Sequence, residues 1–242
     1  IDPYPPRYDR THTSDEATKL FEYAEIMASN VGGEAAEHPR TETIRVAARV
    51  MARRGMGKAA FIDLKDGYGR IQAFARQNTM GDEAYEIVNL LDIGDIIGVE
   101  GQVIRTRRGE ISVEAAKVTV LTKAIRPLPD KWHGLQDQEI RFRQRYLDLI
   151  SNDKAMSNAL LRSKIVQSMR SFMHGRGFIE VETPILVPVA AGAQATPFQT
   201  HHNQLDRDLY LRIATELYLK KLIVGGIERV FEIGRLFRNE GL

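Results

Sequence analysis

Two residues near the end of the chain concentrate its chemistry. In Arg229-Val-Phe-Glu-Ile-Gly-Arg-Leu-Phe-Arg238-Asn-Glu240 an apolar segment runs into Phe-Arg-Asn-Glu. On a strand, side chains two apart share a face, so Arg238 and Glu240 are expected to point into one space. Arg238 offers a rigid guanidinium fork that suits a phosphate or a carboxylate. Glu240 offers an acceptor that suits an amine or the amino group of a base. A site needing both could hold a nucleotide phosphate beside an amine-bearing partner. Taken alone, the pair reads equally well as a surface ion pair at a strand end.

A second group lies between Arg45 and Arg76. Arg45, Arg49, Arg53, Arg54, Lys58, Lys65, Arg70 and Arg76 are opposed there only by Asp63 and Asp66, a local charge of +6 in a chain whose net charge is +2. Such a stripe suggests a polyanion partner, although solvated strand faces can carry the same pattern. Strand alternation sorts the neighbouring side chains. Ile62 and Leu64 share one face, with Phe61 and Asp63 on the other; Ile71, Ala73 and Ala75 share a face, with Gln72 and Phe74 opposite. If the aliphatic sets fill a barrel, Phe61, Gln72 and Phe74 stand outside among the arginines. Aromatics so placed form a platform for bases, worth about 1–3 kcal/mol per stacked base. The competing reading packs Phe61 under the N-terminal helix.

Bulk properties limit the protein's class. Hydrophobic content of 43% and charged content of 27% are ordinary for a globular chain, and 242 residues suffice for one large or two ordinary domains. The absence of Cys excludes disulfides and thiolate metal sites and fits a reducing compartment. No apolar run approaches the roughly 18 residues of a membrane span, and the N-terminus lacks the basic and apolar regions of a signal peptide. The chain starts at Ile1 and stops at Gly241-Leu242, just after its most chemically loaded segment, so a piece of a longer protein is expected.

The elements that must position these residues follow from periodicity. Asp2-Pro-Tyr-Pro-Pro-Arg7 is extended, and Thr13-Ser-Asp-Glu16 has the form of a capping box opening a helix to about Ser29, closed by Gly32-Gly33 and Pro39. From Thr43 to Thr122 the period becomes two. Strands are expected from Thr43, at Ala60–Leu64 and at Arg70–Ala75, the last two joined by Lys65-Asp-Gly-Tyr-Gly69. A helix over Asp82–Leu91 and strands at Ile96–Ile104 and Ile111–Leu121 complete the order of a five-stranded OB-fold barrel, with small SH3-like barrels as the main confusion. The linker Lys123-Ala-Ile-Arg-Pro-Leu-Pro-Asp-Lys-Trp-His-Gly134 marks a boundary. Beyond it, helices are expected over Gln138–Ile150 and Lys154–His174, the second with Leu161, Ile165, Met169 and Phe172 on one face. Phe178 to Leu186 is extended, and Pro184 argues for an edge or an interface. Tyr210–Ile213 reads as a short strand, and Thr215 as the cap of a helix over Glu216–Val224. The domains expected are thus 1–42, 43–122, a linker 123–137, and 138–242.

In this order the pieces resemble the N-terminal half of a class II lysyl-tRNA synthetase of bacterial type. Gly177-Phe-Ile-Glu-Val-Glu-Thr-Pro184 resembles the first class II motif, and Phe237-Arg238-Asn-Glu240 the start of the second. Arg126-Pro-Leu-Pro-Asp-Lys-Trp-His-Gly134, Arg145-Tyr-Leu-Asp-Leu-Ile150 and Thr200-His-His-Asn-Gln-Leu-Asp206 are similar to segments that set lysyl enzymes apart from aspartyl and asparaginyl ones.

The resemblance implies an α+β fold: an anticodon-binding OB barrel, then part of a class II antiparallel sheet with flanking helices. It implies ATP-dependent activation of lysine, with Mg²⁺, and transfer of the lysyl group to tRNA(Lys) by a cytoplasmic homodimer joined around Pro184. Residue by residue, it puts Gly192 and Glu216 at the lysine α-amino group and Arg238 on the lysine carboxylate and the ATP α-phosphate. Glu240 lies against lysine or the adenine amino group, and Arg54, Phe61, Gln72 and Glu110 read the uridine-rich anticodon. Arg238 and Glu240 would be the catalytic pair, and no metal ligand falls in this stretch. The remaining motifs would lie beyond it, so the chain alone is expected to be inactive. The alternatives are a stand-alone tRNA- or RNA-binding module and an aspartyl- or asparaginyl-type synthetase.

Overall fold

The computed structural model describes residues 4–31, 39–129, 135 and 137–241. The chain divides into two units, Ile1–Leu147 and Asp148–Leu242.

The first unit is built on α1 (Ser14–Val31) and five strands: β1 (Thr43–Met56), β2 (Ala59–Lys65), β3 (Arg70–Arg76), β4 (Ile96–Arg105) and β5 (Ile111–Thr122). The strands close into a barrel in the order β1-β2-β3-β5-β4. β3 runs parallel to β5 and the other neighbours are antiparallel. β1 is long because it serves two partners, its first part pairing with β4 and its last part with β2. A bulge between Val50 and Ala52 separates the two parts and resets the alternation. Before it Ile44, Val46, Ala48 and Val50 enter the core; after it Arg54 stands opposite Phe61. Ile62, Leu64, Ala73 and Ala75 are buried as the alternation requires, and Ala17 and Phe21 of α1 join the same core.

The capping box forms. Thr13 Oγ1 accepts the Glu16 amide at 3.2 Å and the Glu16 carboxylate accepts the Thr13 amide at 2.8 Å. Asp66 in the β2–β3 turn accepts from the Ser14 amide and hydroxyl and from the Tyr68 and Gly69 amides. Burial pushes its pKa up, but these hydrogen bonds outweigh burial and hold it below the usual carboxylate value. The expected stop at Gly32-Gly33 lies outside the described residues.

Between β3 and β4 the single helix expected over Asp82–Leu91 is preceded by another. α2 (Gln77–Met80) and α3 (Asp82–Asn89) are divided by Gly81, whose φ of +84° interrupts the helical backbone. Beyond β5, buried Asp95 accepts from Lys123 Nζ at 2.6 Å and the Ala124 amide at 2.7 Å, anchoring the start of the linker. Residues 130–134 of that linker lie outside the described residues. The helix expected over Gln138–Ile150 is also two, α4 (Gln138–Arg143) and α5 (Arg145–Ser151), because Gln144 leaves the helical region at φ −110°, ψ 54°.

In the second unit α6 (Asp153–Gly175) is capped by Asn152, whose side chain accepts the Lys154 and Ala155 amides. Leu161, Ile165, Met169 and Phe172 are each 51–54% exposed. β6 (Ile179–Glu180) precedes Pro184, which sits outside any ladder, and β7 (Leu186–Val187), β8 (Gln199–His202) and β9 (Arg207–Leu211) follow. β7, β9 and β8 make an antiparallel sheet in that order. α7 (Glu216–Val224) and β10 (Val230–Phe231) end the fold, β10 pairing parallel with β6. Three local expectations change here. The strand expected over Tyr210–Ile213 begins earlier and ends at Leu211. Thr215 holds the N-cap position of α7, but its hydroxyl accepts no helix amide. The long final strand shrinks to two residues, and 232–241 run without a ladder. Among the described residues no helix is long and apolar enough to cross a membrane.

Candidate nucleic-acid interface and substrate site

On the barrel, the register aligns Arg54 with Phe61, Phe61 with Phe74, and Phe74 with Glu114, one row across four strands. The next row runs Asp63, Gln72, Ser112. The rings of Phe61 and Phe74 stack with centroids 4.6 Å apart and planes 8° from parallel. Phe61 is therefore half-buried against a cross-strand aromatic and not beneath α1. Asp63 joins the two rows: its Oδ1 accepts from Arg54 Nη2 at 2.8 Å and from Gln72 Nε2 at 3.4 Å. Gln72 Oε1 accepts from the Ser112 hydroxyl at 3.0 Å. Arg54, Phe61 and Gln72 are thus brought together, with Asp63 as the unforeseen joint. Glu110 lies in the β4–β5 turn, two residues before Ser112, exposed and with its amide on Thr106 Oγ1 at 3.2 Å.

The bulge divides the basic stripe. Arg45 Nε donates to Asp9 O and Arg49 Nη1 to Gly94 O, and Arg53 binds Asn89, so these three grip other parts of the unit. Their charges stay in place because carbonyl acceptors do not neutralise them. Arg54, Lys65, Arg70 and Arg76 share the outward alternation with Phe61, Asp63, Gln72 and Phe74. Arg76 lies 5.3 Å from the Phe74 ring and ion-pairs with Glu114, which also takes Arg40 Nη1 at 2.6 Å. The result is a flat aromatic pair edged by cations and by an Asp–Gln–Ser hydrogen-bond chain. Bases can stack on the first, phosphates pair with the second, and base edges bond with the third.

In the second unit the segment 232–241 lies beside the end of β9. The Arg212 amide donates to Ile185 O at 2.9 Å, and Arg212 O accepts the Phe237 amide at 3.0 Å. Asn239 donates its amide to Thr196 O at 2.8 Å, and the Glu240 carboxylate accepts the Thr196 amide at 3.2 Å. Arg238 is exposed and has no hydrogen-bond or ion-pair partner among the described residues. Arg238 and Glu240 therefore do not pair with each other. Gly192 has φ +97°, and a Cβ there would come within 2.9 Å of Ala214 Cβ, so the loop passes close to the chain leading into α7. Glu216 opens α7, exposed, its carboxylate 2.5 Å from Lys220 Nζ. That hydrogen bond, with the lysine's charge, lowers its pKa. The Gly192 loop thus approaches the chain just ahead of Glu216, and Thr196 of the same stretch bonds Asn239 and Glu240 beside Arg238.

A buried cluster went unread in the sequence. Arg212 and Glu232 face each other at 2.5 Å with side chains 4% exposed, and the Thr183 hydroxyl accepts from Arg212 Nη1 and donates to Glu232 Oε2 at 2.6 Å. Removing one partner from such a pair typically costs about 3–5 kcal/mol. The available signal was one charge inside each of two apolar runs, Leu211-Arg212-Ile213 and Phe231-Glu232-Ile233. Among the described residues no group of three or more His, Asp or Glu could hold a metal ion. The implied Mg²⁺ finds no ligand set there.

This barrel and the sheet that follows it recur in known proteins. Residues 44–121 match the model of the OB-fold nucleic acid binding domain, and residues 137–242 that of the class II tRNA synthetases (D, K and N). The two matches place an OB-fold domain ahead of a class II tRNA synthetase domain in this chain. Within that class its similarity is to the lysyl type. It is 53% identical over its full length to a lysine–tRNA ligase of Dehalococcoides mccartyi, covering 47% of that protein. It is 52% identical to one from Enterococcus faecalis (47% covered) and 50% to one from Carboxydothermus hydrogenoformans (46% covered), again over its full length. The chain spans about half the length of these curated relatives.

Proposed function

We propose that the chain forms the tRNA-reading and part of the amino-acid-activating machinery of a lysine–tRNA ligase acting in the cytoplasm. The observation that carries this reading is the convergence of Arg54, Phe61 and Gln72 through Asp63 on an OB barrel, in a chain similar throughout to lysine–tRNA ligases. On the barrel, Phe61 and Phe74 take a base by stacking, while Arg54, Gln72 and Glu110 meet its edge and the backbone of the anticodon.

In the second unit, the lysine α-ammonium sits at Glu216 and the Gly192 loop. The lysine carboxylate attacks the α-phosphorus of ATP; the new P–O bond forms as the α–β anhydride bond breaks, giving lysyl-adenylate and pyrophosphate. A terminal ribose hydroxyl of tRNA(Lys) then attacks the acyl carbon and releases AMP. This chain's residues bind and orient. Arg238, exposed and without a partner among the described residues, is available to bridge the lysine carboxylate and the α-phosphate, where negative charge concentrates in the transition state. Glu240, whose carboxylate takes the Thr196 amide, would lie against lysine or the adenine amino group. Mg²⁺, when bound, would neutralise charge on the ATP phosphates.

The exposed apolar face of α6, with Pro184 outside the ladder, supports a homodimer formed through this region. The test is lysine-dependent ATP–pyrophosphate exchange by a full-length ligase carrying this chain, together with binding of tRNA(Lys) by the chain itself. Exchange driven by aspartate or asparagine, and not by lysine, would overturn the reading.

A further inference from the structure

Segment 232–241 joins no ladder, yet it carries Arg238 and Glu240, two of the residues assigned to substrate. Its first half is held by one residue, Arg212, through both its side chain and its main chain. Arg212 Nε donates to Arg235 O at 3.0 Å, its main-chain oxygen takes the Phe237 amide, and Nη1 reaches Glu232 at the segment's start. Nη1 also donates to Thr183 O at 3.0 Å and Thr183 Oγ1 at 2.8 Å, tying the guanidinium to the extended stretch before Pro184. Gly234 passes so close to Nη2 that a Cβ would collide with it, and the same Cβ would lie 2.7 Å from Glu232 Oε1.

We propose that Arg212 is the positioning residue of the substrate site, a clamp that sets the path of residues 234–237 and thereby the direction of Arg238; the inference rests on the reading of Arg238 as a substrate ligand. The physical reason lies in the cost of the arrangement. A buried ion pair is commonly no more stabilising than apolar side chains of equal volume, so charge alone is a weak reason to place an arginine here. A guanidinium adds direction. Its fork is planar and serves three acceptors at fixed angles, so Arg235, Glu232 and Thr183 cannot shift independently. Lysine could match the charge toward Glu232 but not the Nε bond to Arg235.

Two variants test the clamp: Arg212→Lys, and Gly234→Ala, which wedges the clamp apart while leaving every charge in place. Amide hydrogen exchange in the chain is expected to rise about tenfold at Phe237 and Asn239, with amides of α6 unchanged and the melting temperature within a few degrees of wild type. In a full-length ligase carrying the chain, kcat for pyrophosphate exchange is expected to fall about tenfold or more, with tRNA binding unaltered. Should Arg212→Lys fail to fold, Gly234→Ala still gives the answer. Unchanged protection at Phe237 and Asn239 in a folded variant overturns the clamp whatever the activity. Arg238→Ala separates the two readings. If it leaves exchange activity intact, the substrate assignment fails, while amide protection still decides whether Arg212 holds the segment.

Discussion

Replacing Phe61 by Ala should weaken RNA binding by more than it weakens the fold. The Phe61 ring lies on Phe74 at 4.6 Å and stays part-exposed on the outer face of the barrel, where a base can reach it. Losing one stacked base is worth about 1–3 kcal/mol, which corresponds to about a 5- to 150-fold rise in Kd. Losing the aromatic pair costs the fold about 0.5–1.5 kcal/mol beyond burial, little for a barrel whose core lies on the opposite face. Fluorescence anisotropy of a labelled anticodon-arm RNA, titrated with the 242-residue chain at several salt concentrations, reads the first quantity; urea unfolding reads the second. Stacking releases no counterion, so Phe61→Ala should leave the salt slope unchanged. Arg54→Gln should reduce that slope by about 0.7, the value for one contact to a single strand. Phe61→Leu should fall between wild type and Ala. If Phe61→Ala binds RNA within about twofold of wild type while unfolding much earlier, the ring is a packing element and the platform reasoning is wrong.

Other outcomes follow from the same geometry. In a full-length ligase carrying this chain, Arg238→Ala should cripple lysine-dependent pyrophosphate exchange and leave tRNA binding nearly unchanged; Arg238→Lys should also be poor, since a point charge does not replace a fork, and near-normal exchange in that variant would refute the role. Glu216→Gln should raise KM for lysine with little change in KM for ATP. Its melting temperature should stay within a few degrees, because the carboxylate is exposed and pairs on the surface with Lys220; early melting with normal lysine binding would make it a helix-end residue instead. Asp66 and Asp95 have folded-state pKa values below their unfolded ones, so their contribution to stability is complete above about pH 4–5 and is lost as pH falls through the folded values. Urea midpoints should therefore be flat from neutral pH to about 5 and drop below about 4, and Asp66→Asn should flatten part of that drop.

Alternation and capping, which are local, could be read directly along the chain. Thr13 and Glu16 bond each other within one helical turn, and Ile62 and Leu64 face inward because pleating leaves a strand only two sides. The order of strands then implied the barrel, and the outward placement of Phe61, Gln72 and Phe74 followed from the same rule. What the sequence left open depended on partners far along the chain. Gln144 breaks a helix that the pattern over Gln138–Ile150 would continue, because backbone conformation at one residue outweighs the periodicity around it, and the short α2 ahead of Gly81 had no such pattern to announce it. The bulge after Val50 moved Arg53 out of the stripe and set Arg54 against Phe61, a consequence of pairing one strand with two neighbours. Arg238 and Glu240 were expected on a strand, yet the amides of Phe237 and Asn239 bond Arg212 and Thr196 singly, two partners 16 residues apart in sequence that form no common ladder. Asp63 between Arg54 and Gln72, and Arg212 between Thr183 and Glu232, belong wholly to the tertiary structure. Each is an ordinary charge in sequence, and its role comes from acceptors and donors that only folding brings within 3.5 Å.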